Sequence, residues 1–99
     1  MLVAKIHESS RIVVALCDAD IVGKKFEQDI RELEVRESFF KHQTLSHNQA
    51  VELLKKYARE DATFNIVGHN AVKAAQEADL TNEGEEATIQ GVPFVLILV

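Results

Sequence analysis

Two stretches of this chain are apolar on both alternating faces, and they constrain the fold more than any other feature. Ile12 to Cys17 and Phe94 to Leu98 carry no charged side chain, and successive residues of a strand point to opposite faces. Strands of that kind need cover on both sides, as central strands of a sheet have. Left at an edge, Phe94 to Val99 would template aggregation, because neither a charge nor a proline interrupts it. The sequence therefore predicts the last strand for the middle of a sheet.

The remaining pattern supplies the neighbours. Leu2, Ala4 and Ile6 alternate with Val3, Lys5 and His7, a half-buried strand whose short link, Glu8 to Arg11, favours antiparallel pairing with Ile12–Cys17. Asp18 to Gly23 reads as one capped helical turn, with Asp18 accepting from amides at its start and Gly23 as the left-handed stop. A third strand is expected over Ile30 to Arg36, where Leu33 and Val35 alternate with Glu32, Glu34 and Arg36. The clearest helix runs from about His47 to Glu60. Ser46 and Gln49 have capping-box spacing, Leu45 and Ala50 stand at staple positions, and Ala50, Leu53, Leu54, Tyr57 and Ala58 form one apolar stripe. Lys55, Lys56 and Arg59 suit the negative end of its dipole.

Phe64 to Val67 is a short strand ended by Gly68, and Asn70 to Asp79 is an alanine-rich helix. Residues 81–86 form a loop, followed by strands at Ala87–Gln90 and Phe94–Leu98 with Gly91-Val92-Pro93 as a break between them. The expected order is β-β-β-α-β-α-β-β. It describes an α/β (α+β) chain, one domain over residues 1–99, with two main helices on one face of a mixed sheet.

Charge narrows the partners. The net charge is −5, and residues 1–60 hold ten basic and ten acidic side chains against one and six in residues 61–99. RNA binding would thus need a basic face within the first sixty residues, since non-specific affinity comes from clustered cations on phosphates. The single cysteine, Cys17, excludes an internal disulfide and fits a reducing cytoplasm. No stretch is long enough to span a membrane, and no secretory h-region follows Met1.

Several constellations have a plain structural reading. Asp18-Ala19-Asp20 lacks a third carboxylate for a hard cation, so turn and cap chemistry accounts for it. Gly23-Lys24-Lys25 lacks the upstream glycine and following hydroxyl of a phosphate loop. His7, His42, His47 and His69 form no recognised metal pair, so neither a metal nor another cofactor is expected. Cys17, ending an apolar strand beside Asp18, reads as a buried hydrophobe.

Two groups remain as candidate sites. Lys24, Lys25, Phe40, Lys41 and His42 combine cations with an aromatic ring able to stack on a base or anchor a protein. Two consecutive phenylalanines in an extended chain would point to opposite faces, and the alternative is that both fold into the core. Asn65, Gly68, His69 and Asn70 mark a strand–glycine–helix junction, whose free amides can hold an anion. No nucleophile–base or acid–base pair is readable, so no catalytic residue is assigned.

Together, Lys5-Ile6-His7, Cys17-Asp18, Ile21-Val22-Gly23-Lys24, Phe26, Ser38-Phe39-Phe40, Asn65-Ile66-Val67-Gly68 and Gly91-Val92-Pro93 resemble the archaeal domain-of-unknown-function family 424. The blocks are short, and their succession over nearly the whole chain carries the likeness. The resemblance implies a small archaeal cytoplasmic protein with no established activity and a translation-linked setting. The family pattern has Phe-Tyr where this chain has Phe39-Phe40, and histidine where it has Phe94. That second departure favours binding or packing over histidine chemistry. The function expected is a non-catalytic binding module for RNA or a translation-linked protein–RNA assembly; the alternative is a small-ligand or anion-binding protein or enzyme with its site at the Asn65–Asn70 strand–helix junction.

Overall fold

The computed structural model describes residues 1–98. Strands β1 (Leu2–Glu8) and β2 (Ile12–Asp18) pair antiparallel, with Val3 opposite Cys17. A single 3-10 turn, Ala19–Ile21, leads into a hairpin of β3 (Lys25–Gln28) and β4 (Arg31–Glu34). Helix α1 (Glu37–Phe40), strand β5 (Gln43–Leu45) and helix α2 (His47–Ala58) follow. Strand β6 (Thr63–Val67), helix α3 (His69–Glu77), and strands β7 (Ala87–Ile89) and β8 (Val92–Ile97) complete the described chain. Six strands make one mixed sheet in the order β5-β1-β2-β6-β8-β7. Among the described residues its one parallel pair is β2 with β6, and β3–β4 is a separate ribbon.

Both main helices cover one face, as the sequence predicts. Leu2, Ala4, Val14, Leu16, Phe64 and Ile66 present their side chains there, each at most 1% exposed, and meet Ala50 and Leu54 of α2 and Ala71, Val72 and Ala75 of α3. The alternation that puts these residues on one face is the two-residue period of the strand. The α2 capping box forms as read: the Gln49 amide donates to Ser46 Oγ and the Ser46 amide to Gln49 Oε1. His47 and Glu77 join the two helices through a 2.7 Å contact.

The opposite face is covered by smaller pieces. Val3, Ala15, Cys17 and Val67 form its floor, with Val35 and Phe40 buried above them and Phe26 and Leu33 packed alongside. The polar residues of β1 fasten α1 there. Lys5 Nζ donates to the Ser38 carbonyl and His7 Nε2 to the Phe39 carbonyl, both at 2.9 Å, filling acceptors left open at a helix end.

Two local features differ from the sequence expectation. The third strand is a hairpin instead of one run over Ile30–Arg36, because Asp29 takes a positive φ of 58° and turns Ile30 fully into solvent. Gly91-Val92-Pro93 is no break. Gln90 and Gly91 form a tight turn with φ of 51° and 77°, and Val92 already pairs with Ile89. The last strand is interior as expected, between β6 and β7, but β7 covers it only as far as Phe94.

Candidate binding site

The short reach of β7 leaves part of β8 open. The Gly68 amide donates to the Pro93 carbonyl, which fixes residues 93, 95 and 97 as those turning their backbone groups toward β6. In an antiparallel ladder the residues between turn theirs the other way. Phe94 then meets Ala87, whereas among the described residues none pairs with Leu96 on that side. Leu96 and Leu98 are 56% and 71% exposed. Other edges of the sheet are managed. Arg31 donates to the outward carbonyl of Thr88 on β7 and Gln28 accepts from the Gln90 amide, so the hairpin guards that edge, while β5 is three residues long.

Beside the open edge, on the face without the two main helices, lies a groove of about 210 Å³. Leu33, Phe39, Phe94 and Leu96 give it apolar walls, Arg36 sits at its lining, and Asn65 contributes from β6. Asn65 is partly buried, and among the described residues no side chain or backbone group hydrogen-bonds its carboxamide. Two residues earlier on the same strand, Thr63 Oγ1 is buried and has no hydrogen-bond partner among the described residues. Polar groups so placed are ordinarily satisfied. The Asn65 carboxamide alone gives the groove a donor and an acceptor beside its apolar walls.

The predicted basic–aromatic cluster comes apart in one respect. Phe40 is 4% exposed and belongs to the core, so it is unavailable to a base or a partner. The reason is local: Phe39 and Phe40 lie on a helical turn, not in extended chain, so adjacent side chains need not point to opposite faces. Phe39 is the accessible ring, stacked on His7 with centroids 4.5 Å apart and meeting Phe40 edge-on at 5.2 Å. Lys25 pairs with Glu32 and Lys41 with Glu37. Lys24 and His42 are exposed, and among the described residues neither forms an ion pair.

The residues proposed at the strand–helix junction are also redistributed. Asn65 lines the groove, whereas His69 lies in a second depression with Lys73, Glu83 and Glu86, and Asn70 beside Ala19 and Asp20. The start of α3 already holds an anion of its own. Asp18 accepts from the amides of Asn70 and Ala71, at 3.2 and 2.8 Å, and from Asn70 Nδ2 at 3.1 Å. Asp18 therefore caps a helix 52 residues away and makes no side-chain cap bond to the turn that follows it. Gly68 is required by the same contact: with φ of 110°, a Cβ there would stand 2.5 Å from Asp18 Oδ1.

Cys17 is fully buried, and burial, with Asp18 and Asp20 adding to it, pushes its thiol up to about 12. Among the described residues no three His, Cys, Asp or Glu side chains group as metal ligands, and no helix is long and apolar enough to cross a membrane.

The molecule is thus a small α+β domain with one sheet face under helices and the other partly open at β6 and β8. It belongs to the family described as a protein of unknown function, DUF424, whose model matches residues 7–99. It is similar in structure to an uncharacterised conserved protein from the archaeon Methanopyrus kandleri, with a TM-score of 0.88 and 25% identity over 97% of this chain and 89% of the other. No curated protein matches it.

Proposed function

We propose that this protein is a non-catalytic binding module of a cytoplasmic, translation-linked protein–RNA assembly, which it enters by taking an extended protein segment along β8. One observation carries the reading: the Leu96 backbone and the Asn65 carboxamide, both without a partner among the described residues, lie at one apolar groove. An added strand would use the free N–H and C=O of Leu96, while its alternate side chains flank Phe94 and Leu96. The single buried thiol suits a reducing compartment.

Direct contact with RNA through Lys24, Lys25, Lys41 and His42 is the second reading. Lys24 and His42 support it by their exposure. Against it, Glu32 and Glu37 already answer Lys25 and Lys41, and two unpaired side chains neutralise few phosphates. The small-ligand alternative at Asn65–Asn70 would need an anion where the Asp18 carboxylate sits.

An amide NMR titration separates these readings. The probes are a short soluble peptide alternating threonine and valine, and a uridine hexaribonucleotide. The peptide is expected to shift the amides of residues 94–98 and the Asn65 side chain, and the edge-guarding variant Leu96→Lys should abolish the shifts. Shifts confined to Lys24, Lys41 and His42, caused by the RNA alone, would move the function to the second reading.

A further inference from the structure

The molecule carries an apolar knob as well as an apolar groove. Gln28 pairs with Arg31, so Asp29 and Ile30 alone make the turn of the β3–β4 hairpin. Ile30 is fully exposed there. Two-residue turns favour glycine and asparagine, so turn geometry gives no reason for a large β-branched side chain at the tip. Burying it would be favourable, and its own fold leaves it in water.

The tip is held away from the groove of its own chain. Arg31 donates to the Thr88 carbonyl and Gln28 Oε1 accepts from the Gln90 amide, which ties the hairpin end to β7. The groove lies beside β8, and Leu33 of the same hairpin is already one of its walls. Its volume of about 210 Å³ is ample for a four-carbon side chain, since a benzene ring occupies a cavity of roughly 150 Å³. Charge agrees with size. Ile30 stands between one acid and one base, Asp29 and Arg31, and the groove lining holds one of each, Glu34 and Arg36. Asp29 forms no ion pair among the described residues. Arg36 meets Glu34 through Nε at 3.3 Å, and its guanidinium has two further nitrogens to offer.

We infer that the groove takes the Ile30 tip of a second copy of this chain, with Asp29 toward Arg36 and Arg31 toward Glu34. Knob and socket are different patches, so the contact is head to tail and each copy can give one and receive one. The inference goes beyond strand addition. It makes self-association and a partner strand compete for Phe94 and Leu96, so concentrated protein takes a partner less readily.

Two variants separate the halves of the contact. Ile30→Asn removes the knob and keeps the groove, whereas Leu96→Lys blocks the groove and keeps the knob. Both positions are exposed, so both proteins should fold. Raising the unmodified protein from about 0.02 to about 1 mM should shift the amides of residues 29–31 together with Phe39, Phe94 and Leu96, as a weak one-knob contact would. Neither variant alone should show these shifts. Adding unlabelled Leu96→Lys protein to labelled Ile30→Asn protein should restore them at the groove, since one knob and one socket remain. Spectra independent of concentration, or a dependence that Ile30→Asn retains, would overturn the inference. So would a mixture of the two folded variants that shows no shift. Shifts at residues 94–98 without any at 29–31 would assign the contact to pairing of two β8 edges and remove the knob. Strand addition is read separately, by the peptide titration at about 0.02 mM protein, where a contact of this weakness leaves the copies apart.

Discussion

Asp18 and Gly68 form a contact whose energetics can be tested as a pair. Asp18 is 6% exposed and accepts three hydrogen bonds from the start of α3. Loss of a helix cap costs about 0.5–2 kcal/mol, and a bond to a charged group contributes about 1.5–3. Asp18→Ala removes all three acceptor contacts and should therefore destabilise by about 3 kcal/mol. Asp18→Asn keeps one carboxamide oxygen at the amides, so it should cost about half as much. For a chain of this size, with a urea slope of about 1 kcal/mol per molar, the alanine variant should lower the midpoint by about 3 M. Gly68→Ala combines an unfavourable φ of 110° with the approach of 2.5 Å to Asp18 Oδ1. Strain alone gives about 1–3 kcal/mol, and the close contact adds to it. That contact disappears with the carboxylate. In the double variant Gly68→Ala should thus cost at least about 1 kcal/mol less than it does alone, a coupling of the size found for touching residues. Urea titrations of the four proteins, followed by far-ultraviolet circular dichroism, measure the cycle. Additivity within about 0.3 kcal/mol, or an Asp18→Ala cost below about 1 kcal/mol, would refute the clamp.

Other outcomes follow from the same geometry. Ser46→Ala should cost about 1 kcal/mol in urea stability by opening the capping box at α2. Phe40→Ala should cost about 3–5 kcal/mol, and Phe39→Ala about 1, because the first ring is core and the second mainly stacks on His7; equal losses would contradict the assignment. Cys17 should resist thiol reagents in the folded protein and react on unfolding. Its folded pKa, about 12, exceeds the ordinary 9.0, so the native state holds the proton more tightly. The associated stability is present below about pH 9 and falls as pH rises toward 12, a slope that Cys17→Ala should remove.

How much of this could be read from residues alone varied with the range of the interaction. The α2 cap lies within four consecutive residues, Ser46 to Gln49, and forms as the spacing indicates. The two-helix face was equally legible, because Leu2, Ala4 and Ile6 and the stripe of α2 each follow a single period. The β3–β4 hairpin left little trace, since β3 contributes one apolar side chain, Phe26, and its turn uses a positive φ at aspartate rather than glycine. The sequence marks Asp18 as a cap but not the helix it caps, because its partners lie more than fifty residues away. By sequence position Asn65 belongs to the strand–helix junction, yet strand alternation turns it to the opposite face from α3. The aromatic that remains accessible is the neighbour of the one chosen, a difference decided by one short turn of helix.

The parallel pairing of β2 with β6 also bears on how the chain reaches its native state. Forming β1–β2 closes a link of three residues, 9–11, whereas β2–β6 closes one of 44, residues 19–62. By loop-closure entropy the second costs about 2 kcal/mol more, before any stiffness of the intervening elements. Contacts of that sequence separation slow folding. The β1–β2 and β7–β8 hairpins are therefore expected to form early, and the rate-limiting step is the meeting of two preformed halves along β2 and β6. Conservative truncations at Val14 and Ile66 should slow refolding, while one at Ile89 should chiefly speed unfolding.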